Sequence, residues 1–396
     1  MSKEYSTAKV NLAACLAMAF FGVAMLSLGA IMPPLVRAVP QAIGLPMYMS
    51  IGIILGTVIF GPIMDRYGYK WLLVLSSLIM LAGLLILAYS TDMPLLIAGI
   101  FCVGLGGGVL NGETNALVSD IYDEEKRGRK MSILGACYCI GAMVWTLACV
   151  LIPDYQIPLI ACAAVMLASV VFFIALKFPK AKITSATKPS GSEYRSMLTS
   201  GALLLVASVL FFQSAFEGTS GSYTTSFLTQ IGGIAENDAV LSLTFFTVGM
   251  MAGRFALGAL MKKGRDLVVL FVYMFIALLG VAMMGLGNHS TYICWAAMAL
   301  IGFGVGATYP VMLARLGGVF RRMSGAAFSA AIFIALCGQF LGNFLMGKLF
   351  SNGGGGIFAY LLAGMILAIL VIAPFACLAC SRRRKADENG NGNIYP

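Results

Sequence analysis

Charge is scarce in this sequence: 11% of its 396 residues are Asp, Glu, Lys or Arg, against about 25% in a soluble globular chain. Too few charged groups remain to cover a water-facing surface, which excludes a soluble fold. Histidine is rarer still, with His289 its single example, so a histidine metal cluster cannot be assembled, and no nucleophile-base constellation is visible. The ten cysteines lie within or at the ends of apolar runs, where a thiol packs as a small hydrophobe. Cys377 and Cys380 form a C-x-x-C without the second pair that a four-ligand zinc site needs. A phosphate-binding loop is missing too: the glycine runs at Gly104, Gly106, Gly107, Gly108 and at Gly302, Gly304, Gly306 have no preceding strand and no lysine at the required spacing. These absences argue against an enzyme, and no metal or cofactor is expected.

Apolar residues make up 60% of the chain, gathered into runs of about 20 residues, each long enough to cross about 30 Å of hydrocarbon. They fall at 10–35, 44–62, 71–90, 94–119, 130–152, 157–177, 198–228, 239–261, 266–287, 291–314, 325–349 and 356–380. The first has no small-residue cleavage site and exceeds a signal-peptide core, so it is expected to remain as a span. The net charge of +10 is distributed unevenly. Basic residues gather around Lys3 and Lys9, Arg66 and Lys70, Lys126 to Lys130, Lys177 to Arg195, Lys262 to Arg265, Arg321 and Arg322, and Arg382 to Lys385. The alternate loops, apart from Arg37 and Lys348, are acidic or neutral. By the positive-inside rule both termini are cytoplasmic, in a multi-pass protein of the cell's inner (plasma) membrane. Basic charge here encodes topology and gives no reason to expect a nucleic-acid partner.

The connector from Lys180 to Arg195 divides two halves of similar size. The organisation read from it is an N-terminal six-helix half (1–178), a cytoplasmic connector (179–197), a C-terminal six-helix half (198–380) and a disordered cytoplasmic tail (381–396). A Gly-x-x-x-charged turn recurs after the second span, at Gly61 to Asp65, and after the eighth, at Gly258 to Lys262. The offset of about 197 residues reads as a degenerate six-span repeat. Lipid gives helices no hydrophobic reason to associate, so the glycines of the fourth and tenth spans are expected where backbones approach closely.

The turn after the second span reads Gly61-Pro-Ile-Met-Asp65-Arg66-Tyr-Gly68-Tyr69-Lys70. An acid and an arginine between glycines at the cytoplasmic end of a span can lock neighbouring helix ends together, with Gly68 permitting the tight turn. The segment resembles the signature loop of the major facilitator superfamily, with Tyr69 where a basic residue is usual. That resemblance implies the major facilitator fold: an all-α membrane protein of twelve transmembrane helices in two pseudo-symmetric six-helix halves. Gly61, Asp65, Arg66, Gly68 and Lys70 form a candidate cytoplasmic gate. Arg254, toward the cytoplasmic end of the eighth span, joins them as a snorkelling or gate-pairing residue.

Ionisable groups at membrane depth are costly, and Glu113, Glu217 and Arg254 are the ones that call for explanation. In the seventh span Gln213, Glu217, Ser220 and Thr224 fall at i, i+4, i+7 and i+11, a narrow polar stripe expected to face a hydrated cavity. Asn111 and Asn115 share a face of the fourth span, while Glu113 points about 200° away on a regular helix. Either the asparagines line the cavity and Glu113 faces a neighbouring helix, or the glycines before it distort the turn. Gln339 and Asn343 share a face of the eleventh span, where amides serve equally to tie helices together. Tyr309 is a candidate for stacking on a ligand, as are Tyr138, Trp145 and Tyr223, although such aromatics commonly pack or anchor at the interface.

Several of these segments, in order along the chain, resemble the fucose/galactose/glucose:proton symporter family: Gly68-Tyr69-Lys70, Leu110-Asn111 to Asn115, Glu217 with Gly221-Ser222-Tyr223, Gly253-Arg254-Phe255 with Gly258, and Tyr309-Pro310. The sequence departs from that family where its first span is uncharged through the centre, with Ser27 the polar survivor, and where Asn111 stands in place of a fourth-span acid. The resemblance implies proton-coupled import of a monosaccharide or similar small polar solute by alternating access. Asn111, Asn115, Gln213, Glu217, Ser220, Thr224, Tyr309, Gln339 and Asn343 are the candidate solute ligands, offering the mixed donors and acceptors that hydroxyls require. Glu217 and Glu113 are the candidate proton-coupling acids. The expected partners are the solute, protons and the lipid bilayer, with the chain acting as a monomer. Two other functions fit the composition: a proton-driven exporter of amphipathic compounds, which 24 methionines and 25 phenylalanines would suit, and a membrane sugar sensor that does not transport.

Overall fold

The computed structural model describes residues 5–122, 124–152, 154–179, 191–260, 266–286, 290–320 and 323–388. Twelve helices among them are long and apolar enough to cross a membrane: Thr7–Ala38, Pro40–Phe60, Gly68–Tyr89, Met93–Ile121, Arg129–Leu151, Gln156–Ala175, Gly201–Gln230, Glu236–Leu257, Asp266–Leu286, Thr291–Val319, Ala326–Ser351 and Gly355–Arg384. Each apolar run of the sequence falls on one of these twelve spans, and no strand occurs among the described residues. A helix satisfies its own backbone groups, which is what a hydrocarbon solvent demands.

Two elements differ in extent from the sequence reading. Helix continues from the second span through the signature loop into the third, over Leu45–Tyr89, and breaks at Gly68, where φ is 76° and ψ 174°. A Cβ there would meet no neighbour, but an L side chain is strained at that φ, so glycine is what permits the change of direction. At the other end the last helix runs on to Glu388, where a disordered tail from residue 381 is expected. Arg383 explains the extension, since its Nη1 donates to Ser200 Oγ at 2.6 Å and its guanidinium lies 4.9 Å from the Phe320 ring. Of the connector, residues 180–190 lie outside the described ones, and a short helix, Gly191–Leu198, leads into the seventh span.

The chain forms two compact units. One comprises Met1–Ile183, Gly221–Thr247 and Asn343–Gly356, the other Thr184–Ser220, Val248–Gly342 and Ile357–Pro396. In the first unit, Gly52 and Gly56 of the second span lie against the carbonyls of Phe101 and Leu105 on the fourth. In the second unit, Gly249 and Gly253 of the eighth span lie in the same way against the carbonyls of Ala299 and Phe303 on the tenth. The third and fourth spans meet at Gly83 against Gly99 and at Gly106 against Ser76. Their counterparts are Gly280 against Ala297 and Gly304 against Tyr273. Each of these pairs is separated from its counterpart by about 197 residues, the offset between the two Gly-x-x-x-charged turns. The repeat is thus one of helix packing, written in small residues that let backbones touch.

Polar groups tie the far ends of the first unit together. Thr225 Oγ1 donates to Gly29 O at 2.6 Å, and the Tyr223 hydroxyl lies 3.0 Å from Ile43 O and 2.9 Å from Asn343 O. Asn343 Nδ2 donates to Ser50 Oγ at 3.0 Å, Thr146 and Thr244 share a hydrogen bond of 2.7 Å, and Arg37 pairs with Glu236. The last pair is largely exposed, where such contacts add little.

Candidate functional site

The seventh span carries the site because its sequence alternates bulky apolar residues with a stripe of short polar ones. In the second unit, Gln213 Nε2 donates to Val305 O of the tenth span at 3.4 Å. One residue on, Ser214 shares a short hydrogen bond with the Tyr309 hydroxyl. Gly218 permits the eleventh span to approach: a Cβ there would lie 2.5 Å from Gln339 Cγ. The seventh span thus brings Gln213 and Ser214 to the tenth span and Gly218 to Gln339 of the eleventh.

Glu217 sits at the centre of this group. It is densely surrounded, within hydrogen-bonding range of Gln213 and within electrostatic reach of Arg254 and Tyr309. Part of its surface nevertheless stays open. Arg254, also half-buried, comes to this locus through the eighth span, whose backbone abuts the tenth: a Cβ on Gly306 would lie 3.0 Å from Arg254 N. The sequence reading grouped Arg254 with the cytoplasmic gate, and in the structure its charge is also within electrostatic reach of Glu217.

The remaining candidates are dispersed. Ser220, also in the second unit, is buried with its Oγ unpartnered. Thr224 and Asn343 belong to the first unit, where Thr224 Oγ1 is buried without a partner and Asn343 is engaged with Ser50 and Pro46. Asn111 and Asn115 are half-buried neighbours in that unit, with Asn115 Nδ2 donating to Asn111 O at 2.8 Å and to its Oδ1 at 3.2 Å. The side chains of Gly61, Asp65 and Arg66 lie outside the described ones. Beside them, Gly68 forms the backbone break and Lys70 Nζ lies 6.0 Å from the Trp71 ring centroid.

The orientation of Glu113, left open by the sequence, follows from the packing of a regular fourth span. Gly99, Gly106, Glu113 and Asp120 recur every seven residues along one face. Gly99 and Gly106 touch the third span, Asp120 Oδ2 accepts from Tyr69 OH at 2.7 Å, and Glu113 lies against the backbone of Leu73. Its carboxyl oxygens are buried with no hydrogen bond of acceptable geometry. The asparagines face elsewhere.

Two polar residues escaped the sequence reading. Ser214 lies one turn before Glu217 and holds Tyr309, and Thr308 beside that tyrosine is fully buried with an unpartnered Oγ1. Their sequence signal is adjacency to Gln213 and Tyr309. A cleft in the first unit, bounded by Gly44, Met47, Phe344, Lys348 and Asn352, is lined by no acid. Among the described residues no group of three or more His, Cys, Asp or Glu converges as metal ligands would, and the ten cysteines are free thiols.

Twelve spans, a repeated helix packing and a polar cluster at span depth define a membrane transport protein. The pattern of the Major Facilitator Superfamily matches residues 11–342, and the chain belongs to that superfamily. It is similar to an uncharacterized transporter, y4wD, of Sinorhizobium fredii, with 23% identity over 334 residues, covering 83% of this chain and 86% of that one. Among solved structures, a point mutant of the nucleoside transporter NupG superposes with a TM-score of 0.78 at 14% identity, over 94% of this chain and 99% of that one. A D-xylose-proton symporter superposes with a TM-score of 0.73 at 14% identity, over 92% and 96%. At such identities these likenesses establish the fold. The chain is thus a transporter and not an enzyme.

Proposed function

We propose that the chain is a secondary active transporter that couples proton movement to import of a monosaccharide-sized polar solute by alternating access. One observation carries this reading: Glu217, deep among packed helices, keeps open surface while facing Gln213, Arg254 and Tyr309. A carboxyl in that position can exchange a proton with water and register the arrival of a solute. Gln213, Ser214, Ser220, Tyr309 and Gln339 supply the donors and acceptors for hydroxyl groups; Asn111 and Asn115, in the first unit, are further candidates by their residue type.

The finer placement, in the fucose/galactose/glucose:proton symporter family, rests on the ordered motifs from Gly68 to Tyr309-Pro310. The fold likeness to a D-xylose-proton symporter is compatible with it. The distribution of lysine and arginine supports an inner-membrane orientation with both termini cytoplasmic and the Gly61 to Lys70 loop as an inner gate. In this reading the chain works as a monomer, with Glu217 as the coupling acid.

The test is uptake into proteoliposomes of a panel of labelled hexoses and hexuronates under an imposed inward proton gradient. The wild-type chain is expected to accumulate a solute from the panel, and Glu217→Gln to lose the dependence on the gradient. Uptake by Glu217→Gln that still follows the gradient removes Glu217 from the coupling role.

A further inference from the structure

Within the first unit, the first and fifth spans touch along a seam. A Cβ on Gly141 would fall within the Ala19 carbonyl oxygen, and one on Gly22 would lie 2.9 Å from Ala142 N. Further along, Trp145 Nε1 donates to Leu26 O at 3.2 Å, and the rings of Phe21 and Tyr138 stand 5.5 Å apart. Numbers rise together on both sides of the seam, so the two spans run parallel. One turn before Ala19 stands Cys15, and one turn before Gly141 stands Cys137. Residues four apart share a helix face, which puts both cysteines on the faces that make the seam, and their thiols lie within hydrogen-bonding range of each other. Where backbones touch, Cα atoms one turn away fall near the separation of about 4.4–6.8 Å that a disulfide spans.

Neither thiol is sealed in the core. Both are half-buried. Asn11 Nδ2 donates to Cys15 Sγ at 3.8 Å, and Lys130, at the start of the fifth span, is within electrostatic reach of Cys15. A partly open, polar setting beside a cation is where cysteines react, whereas thiols enclosed by apolar side chains stay inert.

We propose that Cys15 and Cys137 are a modification site, a dithiol that hydrogen peroxide converts to a disulfide stapling the first span to the fifth. One cysteine, as its thiolate, attacks a peroxide oxygen; the O–O bond breaks, leaving a sulfenic acid and one water. The second thiol displaces the sulfenic hydroxyl as another water and closes the S–S bond. The two sulfurs together give up two electrons, which the peroxide takes. On the orientation proposed above, this end of both spans faces the cytoplasm, where thiols are kept reduced and disulfides serve as transient redox sensors. The chemistry depends on neither the solute nor the coupling acid.

The experiment uses the full chain, purified under reductant, exposed briefly to hydrogen peroxide, alkylated with N-ethylmaleimide and digested without reduction. The expected product is a cross-linked peptide pair holding Cys15 and Cys137, with both residues lost to alkylation together while half-buried Cys102 of the fourth span still reacts. Dithiothreitol is expected to restore alkylation at both. The linked chain is expected to melt at a higher apparent temperature than the reduced one, because closing so long a loop constrains the unfolded chain. Dithiothreitol, which leaves methionine sulfoxide in place, is expected to reverse that shift. Cys15→Ser and Cys137→Ser are each expected to abolish the link and the shift; should a variant fail to fold, peptide mapping of the wild type still decides. Continued alkylation of both thiols at a peroxide dose that oxidises Cys102, a sulfinic acid at either without a link, Cys15 joined to a different cysteine, or a linked chain with no upward shift overturns the inference. None of these outcomes touches gradient-driven uptake, which stands or falls by its own assay.

Discussion

Asn343 Nδ2 donates to Ser50 Oγ at 3.0 Å and to Pro46 O at 3.4 Å, linking the eleventh span to the second across 293 positions of sequence. The spacing of Gln339 and Asn343 suggests one shared task, but the partners differ: Gln339 packs on Gly218 and Asn343 on the second span. Asn343→Ala is expected to cost about 1–2 kcal/mol, the worth of two hydrogen bonds net of the Ser50 to Pro46 bond that remains. A lowered apparent melting temperature of the purified protein checks this, and an unchanged one removes the tie.

A paired glycine comparison tests the close approach of the first and seventh spans. A Cβ on Gly29 would fall within the carbonyl oxygen of Gly221, whereas one on Gly44 would meet nothing within 4 Å. Gly29→Ala is expected to destabilise by about 1–3 kcal/mol or more through overpacking, and Gly44→Ala to stay within about 0.5 kcal/mol of wild type. Melting curves and the monodisperse fraction on size exclusion report the difference. Equal behaviour of the two variants contradicts the contact.

Glu113 offers a contrast with Glu217. Its carboxyl oxygens are buried against the third span without a hydrogen bond, so removing them is expected to relieve a burden. Glu113→Leu is expected to stabilise by about 1–3 kcal/mol, and Glu113→Gln to keep gradient-driven uptake that Glu217→Gln loses. Abolished coupling in Glu113→Gln would assign the proton to the fourth span.

Tyr69 occupies a position where arginine or lysine is usual in the signature loop, and its hydroxyl donates to Asp120 Oδ2 at 2.7 Å. Tyr69→Phe is expected to cost about 1.5–3 kcal/mol, the range for a hydrogen bond to a charged group. Tyr69→Arg is expected to recover part of that through an ion pair. Thermal unfolding of the two variants side by side distinguishes a role for the bond from one for the ring alone.

The twelve spans were legible because a hydrocarbon solvent leaves a chain few options, and long apolar runs are what it requires. The repeat was legible from two short turns and reappears in the pairing of Gly52 with Phe101 and Gly249 with Ala299. The shared face of Gln213 and Glu217 was legible from helical spacing, whereas the approach of Tyr309 through Ser214 was not. What stayed hidden depends on tertiary partners. Spacing set Glu113 opposite the asparagines but could not name the third span as its neighbour, and nothing local to Asn343 points to Ser50. Helix through the signature loop was masked by its polar residues, which read equally well as a turn. Arg254 lies toward the end of its span, which suggests snorkelling, and only the tertiary packing brings its charge within electrostatic reach of Glu217.

The fourth span is wedged on two sides: Gly104 and Gly108 sit under the backbone of Met49 and Ile53, and Gly99 and Gly106 against Ile86 and Ser76 of the third span. With so little space on either flank, rotation about its own axis or sliding along it is opposed by overpacking. Any displacement that carries Asn111 and Asn115 during a transport cycle must move the second, third and fourth spans as a single slab, leaving flexibility to the segments that join such slabs.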